Sequence, residues 1–262
     1  MRYMIIALGF GLICSSHMTQ AQTYSDVQSA LNSGRYTQAA QLGEALATPE
    51  ALAVAAESLN AQILLCRIED PKKSARQARK LAERALKIDP VHPNALLQYA
   101  LAEALVTRRS SPITVWRKKL PQKLLENIQA YKNVRPNDPR IEAFIGAWHF
   151  GIVRRAGPKR AKDWYGASVE DGITAYEYAL KLHPDDMIIA TNYAFSILEH
   201  NPEKYAPQAI EILNHVTNSK TDNVLERDLQ KLIRDMLDLM KDDIIKIDVA
   251  VENAGFFLDG GS

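Results

Sequence analysis

Three hydrophobic patterns succeed one another along the chain. The first is an unbroken apolar run from Met4 to Cys14, 11 residues long, behind Arg2. It falls short of the roughly 18 residues that cross a bilayer and has the length of a signal-peptide core. Thr19, Gln20 and Ala21 follow with side chains that suit a peptidase pocket, so residues 1–21 read as an export signal cut after Ala21. The second pattern fills residues 22–221, where leucine-containing stretches of helical period end at Pro90, Pro136 and Pro184. Each proline is followed by a new helix-starting stretch that contains Asn94, Asn137 or Asp185. Proline just past a helix stops it, and Asn or Asp can cap the next. In the third pattern Leu225, Leu229, Leu232, Ile233, Met236, Leu237 and Met240 recur at three- and four-residue steps. This predicts one amphipathic helix over 222–250, ahead of a tail, 251–262, that carries Phe256 and Phe257 among glycines. The fold class is all-α, built as helix, tight turn, helix.

Small residues recur around the prolines in one register. Ala78 and Ala85 precede Pro90, with Leu65 on the partner helix; Gly172, Tyr176, Ala179 and Leu180 precede Pro184. Ile145 and Gly146 follow Pro136, Asn192, Tyr193 and Ala194 follow Pro184, and Gly34, Tyr36 and Ala39 stand near the start. Small residues let paired helices approach, while large ones fill the space against the next pair. This pattern resembles the tetratricopeptide repeat family, whose unit of about 34 residues is a helical hairpin. The resemblance implies an α-solenoid of about five hairpins, with the last helix capping its final apolar face. The prolines stand 46 and 48 residues apart, however. The surplus falls inside two hairpins, at 108–122 and 154–168, and predicts lengthened loops there. Cys66, the one cysteine left after cleavage, falls in the register as a small buried residue on a helix.

Tetratricopeptide proteins hold peptides in a groove lined by the first helix of each hairpin. Carried onto this chain, the resemblance implies a groove of Asn60, Ile63, Arg67, Asn94, Leu97, Leu101, Arg140, Ala143, Ala147, Phe150, Thr191 and Phe195. That surface is apolar enough to favour a hydrophobic or amphipathic ligand. Arg67 and Arg140 are its charged contacts, unless each forms a salt bridge to a neighbouring hairpin. The terminal helix could itself occupy part of the groove.

Charge sharpens the picture. The whole chain carries a formal +1, which excludes global capture of nucleic acid. Between Thr107 and Asp163, however, 14 Lys or Arg face 4 Asp or Glu, a local +10 that leaves −9 elsewhere. Both insertions lie in this basic centre, bringing Arg108, Arg109 and Trp116, then Arg154, Arg155 and Trp164. A basic and aromatic patch suits an anionic envelope component or an acidic protein segment. The competing reading has solvated loops, each anchored to the scaffold by its tryptophan.

Motif chemistry is sparse. The sequence contains no HExxH, CxxC, GxSxG, GxGxxG or phosphate-binding loop, and no histidine pair at helical ligand spacing. No metal or cofactor is expected. Catalytic groups can still converge from distant positions, so an enzyme with a dispersed site stays as the third reading. The leading expectation is a non-enzymatic periplasmic scaffold or adaptor that binds a protein or peptide partner, with no integral membrane span. The second is an accessory protein that binds a small molecule or lipid in an apolar cavity between the repeats. An acylated Cys14 would make the chain a lipoprotein, but Ile13 occupies the position where such signals carry a small residue.

Overall fold

The computed structural model describes residues 23–240, and every regular element among them is an α-helix. The predicted export signal, residues 241–250 of the predicted terminal helix and the tail lie outside the described residues. Thirteen helices follow in order: α1 (Tyr24–Asn32), α2 (Tyr36–Leu46), α3 (Pro49–Leu64), α4 (Pro71–Ile88), α5 (Pro93–Arg108), α6 (Pro112–Arg117) and α7 (Leu120–Val134). Then come α8 (Arg140–Ala156), α9 (Pro158–Tyr165), α10 (Val169–Leu182), α11 (Met187–His200), α12 (Pro202–Asn218) and α13 (Val224–Met240).

Local chemistry explains these boundaries. Oxygens of Thr23, Thr48, Asp70, Ser168, Asp186 and Asn201 each accept a backbone N–H in the first turn of the helix that follows. Proline stands in the first turn of α3, α4, α5, α9 and α12, where its missing N–H costs no bond. Pro90, Pro136 and Pro184 each lie two residues beyond a helix end, at Ile88, Val134 and Leu182. Two caps depart from expectation: α8 starts after Pro139 with no side-chain cap, and α5 is capped by His92, whose Nδ1 accepts from the Ala95 N–H at 3.2 Å.

Helices pack as successive pairs: α1 on α2, α3 on α4, α5 on α7, α8 on α10 and α11 on α12. Between pairs, α1 meets α3, α3 meets α5 and α8 meets α11. This all-helical arrangement is compatible with an α-solenoid. Small residues set the close approaches: a Cβ added to Gly146 would fall 2.6 Å from the Tyr176 ring on α10. The insertions are not plain loops. They hold the short helices α6 and α9. Nor do their tryptophans anchor them to the scaffold, since Trp116 and Trp164 are 70% and 65% exposed.

Cys66 also departs from its predicted place, being exposed in the turn after α3 with φ +55°. The Cys66 N–H donates to the Ile63 carbonyl at 3.1 Å and the Arg67 N–H to the Gln62 carbonyl at 2.8 Å. This left-handed helix end usually carries glycine, so a cysteine there gave no sequence signal. Gly34 makes the same turn after α1, with φ +71°.

The terminal helix joins the last helix pair to the first turns of the chain. It packs on α11 and α12, and buries Leu229, Ile233, Met236, Leu237 and Met240. Gln230 and Arg234 side chains donate to the Ser219 and Thr217 carbonyls at 3.1 and 2.8 Å. Its first turns reach the α1–α2 turn, where Val224 is packed so closely that a Cβ on Gly34 would lie 2.8 Å from it. Asp228 pairs with Arg67 at 2.8 Å.

Candidate functional site

Close backbone packing lapses between α5 and α8, although α5 packs on α3 and α8 on α11. A cavity of about 250 Å³ opens there. Its walls follow from helical periodicity. Leu97, Leu101, Ala104, Leu105 and Arg108 form one stripe on α5, and Arg140, Ala143, Phe144, Ala147, Trp148 and Gly151 form one on α8. Leu64 of α3, Leu124 of α7, Ile188 of α11 and Leu225 of α13 complete an apolar lining. Trp148 is held by its indole N–H, which donates to the Pro121 carbonyl at 3.0 Å.

Guanidinium groups gather where α5 and α8 end. Arg155 donates to the Thr107 and Ser110 carbonyls at 2.9 and 3.0 Å, and also to the Arg108 carbonyl. It therefore satisfies the carbonyl-rich, partially negative end of α5 and ties the two helices together. Arg108 pairs with Glu199 of α11, and Arg154 stands 3.6 Å from the same carboxylate. The Thr107 hydroxyl there is buried, with no hydrogen-bond partner among the described residues.

Farther toward the start of α5, amides line the wall in a fixed sequence. Asn60 Nδ2 donates to Gln98 Oε1 at 2.9 Å, Gln98 Nε2 to Asn94 Oδ1 at 3.1 Å, and Asn94 Nδ2 to Glu57 Oε2 at 2.9 Å. A carboxylate can only accept, so Glu57 sets the direction of every amide before it. Asn60 Oδ1 is left over: buried, and without a partner among the described residues. Burial pushes the Glu57 carboxyl above its ordinary range, against the Asn94 hydrogen bond and the Arg140 charge.

The residues anticipated from sequence divide three ways. Asn60, Leu97, Leu101, Arg140, Ala143, Ala147 and Phe150 line the cavity, as do Arg108, Arg154 and Arg155. Ile63, Thr191 and Phe195 are buried between helices instead, with the Thr191 hydroxyl donating to the Met187 carbonyl at 2.6 Å. Asn94 stands behind the wall as a link in the amide chain, Arg67 reaches α13, and Arg109 folds back toward the Leu105 carbonyl. Arg140 turns its Nε to Asp138 at 2.8 Å. Trp116 and Trp164 point to solvent from α6 and α9, where Arg160 lies over the Trp164 ring at 5.8 Å.

Sequence reasoning missed Glu57, Gln98, Leu105, Phe144, Trp148, Glu199 and Leu225. The stripe Leu97, Leu101, Leu105 and Arg108 was a usable signal, because i, i+4, i+8 and i+11 fall on one helical face. Nothing local marked Leu225 as its neighbour.

Among the described residues, no group of three or more His, Cys, Asp or Glu could hold a metal ion. No helix there is long and apolar enough to cross a membrane. No protein-family description matches the chain, and no curated protein matches it.

Proposed function

We propose that this chain is an exported, non-enzymatic helical-repeat protein of tetratricopeptide type that carries a small amphipathic molecule in the cavity between α5 and α8. The observation that supports this is an apolar container where two first helices part, with its polar groups concentrated in the arginine cluster and the amide chain. Ligand sites are typically such clefts, apolar with a few placed polar groups. Export rests on the residue 1–21 pattern, and the periplasm is the proposed compartment. Native mass spectrometry of protein taken from that compartment tests the proposal. A sub-kilodalton adduct that disappears in the cavity-filling variant Ala147→Phe is the expected result. Adduct-free spectra, together with no displacement of an apolar fluorescent probe by any amphiphile, reject it.

A protein-binding adaptor is the second reading, favoured by one separate observation. Ile113 and Trp116 on α6 and Trp164 on α9 are 70%, 70% and 65% exposed, beside Arg117, Lys118, Lys159 and Arg160. Exposed aromatic groups among cations suit an acidic protein segment or another anionic envelope component. A photo-crosslinker placed at Trp116 should trap one defined polypeptide in the native envelope under this reading. Replacement of Trp116 and Trp164 by serine should abolish the association and leave stability within about 0.5 kcal/mol, as expected for exposed positions. A spread of unrelated adducts would count against it.

A further inference from the structure

The surface of α6 and α9 has a composition that narrows its partner. We propose that it docks the protein on an anionic phospholipid bilayer. Ile113, Trp116 and Trp164 enter the head-group layer, and the lysines and arginines beside them face the lipid phosphates. This rests on the reading of that surface as an interaction site and is independent of the cavity.

The fold brings the two short helices to one end of the stack. The Arg155 guanidinium donates to the Ser110 carbonyl at 3.0 Å. These two residues stand just ahead of Pro158 and Pro112, where α9 and α6 begin. Each helix is seated through one buried side chain, Val115 on α6 and Ala161 on α9. Ile113 and Trp116, three residues apart, share a face of α6 and are exposed, as is Trp164 on α9. An indole is apolar in body and polar at its N–H, the combination that settles at a membrane–water boundary. Helices of six and eight residues are too short to cross a bilayer, so they rest in its surface.

Charge points the same way. Residues 110–120 carry Arg117, Lys118 and Lys119 and no acid, while residues 157–166 carry Lys159, Arg160 and Lys162 against Asp163. Six cations against one acid leave a formal +5. All six are exposed, and none is ion-paired with a carboxylate among the described residues. Four of the six are lysine. Protein–protein interfaces are depleted in lysine, whereas a fluid layer of phosphates asks only for positive charge and no fixed geometry. That composition favours a lipid surface over an acidic polypeptide.

Sedimentation with two kinds of vesicle tests the proposal on the chain purified after export. One kind is phosphatidylcholine alone, the other phosphatidylcholine and phosphatidylglycerol in equal parts. Binding to the anionic vesicles should be at least about 10-fold tighter, and should weaken about 10-fold or more between roughly 0.05 and 0.5 M salt. Trp148 is buried, so a blue shift of the tryptophan emission on binding should come from Trp116 and Trp164. Trp116→Ser with Trp164→Ser should weaken binding about 10-fold and remove the shift, with helical content by circular dichroism unchanged. Lys118→Gln with Lys119→Gln should narrow the preference for anionic vesicles. These variants keep both chain ends, so Phe256 and Phe257 do not account for a difference. Equal binding to both vesicles, or binding without an emission shift, overturns the bilayer proposal. If a photo-crosslinker at Trp116 then still traps one polypeptide, the surface remains an adaptor site. If neither vesicle nor polypeptide is held, that reading falls as well. Wild-type selectivity and emission decide the matter even if a variant fails to fold.

Discussion

Two stretches of the same helical stack are built from opposite materials. Around α3, α4 and α5, contacts are made by alanine: Ala53, Ala55, Ala56, Ala78, Ala82, Ala85, Ala95 and Ala102 are all fully buried. Small side chains let helix axes approach. Between α5 and α8 the facing stripes carry Leu97, Leu101, Phe144 and Trp148, with Arg155 braced across one end on the carbonyls of α5. Side chains of that size hold the helices apart and do not fill the gap between them. The lesson is that one all-helical stack gives either a sealed seam or a cavity, according to residue volume at a few facing positions.

The sharpest break of this comparison removes the brace. Arg155→Met should lose about 2 kcal/mol of stability in urea unfolding, because charge-assisted bonds to partly buried carbonyls vanish and the acceptors stay behind. A loss below about 1 kcal/mol would mean that the seam is held open by other contacts.

A matched pair of insertions comes next. Ala95→Leu forces bulk into the sealed region and should cost roughly 2 kcal/mol. Ala147→Leu grows into the cavity and should change stability by no more than about 0.5 kcal/mol, with ligand binding weakened. Equal losses would erase the distinction between the two seams.

The smallest effect sits where the two regions meet, at Glu57. Burial raises its folded pKa above the ordinary value of 4.5. The folded chain then holds a proton that the unfolded chain has released, so this group makes stability fall as pH rises from about 4.5 through the raised value. Glu57→Gln keeps an acceptor for Asn94 and removes the slope. The variant should be more stable than wild type at pH 7, by about 1 kcal/mol or less, and no more stable at pH 4. A parallel pair of melting curves between those pH values would reject the assignment.

The all-helical class and many of the helix ends could be read from the chain, because they depend on signals a few residues apart. Pro90, Pro136 and Pro184 fell just past helix ends, and Asp186 capped α11 through the Ile189 N–H. Cys66 was misplaced, since a left-handed turn on a non-glycine residue leaves no mark in composition. The insertions were expected as loops and are partly helical, because Ser111 with Pro112, and Pro158, start short helices that a hydrophobic period cannot register over six or eight residues. In the groove, Ile63, Thr191 and Phe195 were assigned by position in a repeat, but the direction a side chain takes depends on how neighbouring helices rotate against each other.

Local free energies thus settled on their own which residues would be helical and which faces would be greasy, since period, caps and proline act within one or two turns. Where those faces met required the assembled chain. The pairing of Arg67 with Asp228, 161 positions apart, the bridge from Arg155 to the end of α5, and the gap beside Leu225 are all set by the relative placement of whole helices. That placement is a sum of many weak packing contacts, and no single stretch of sequence encodes it.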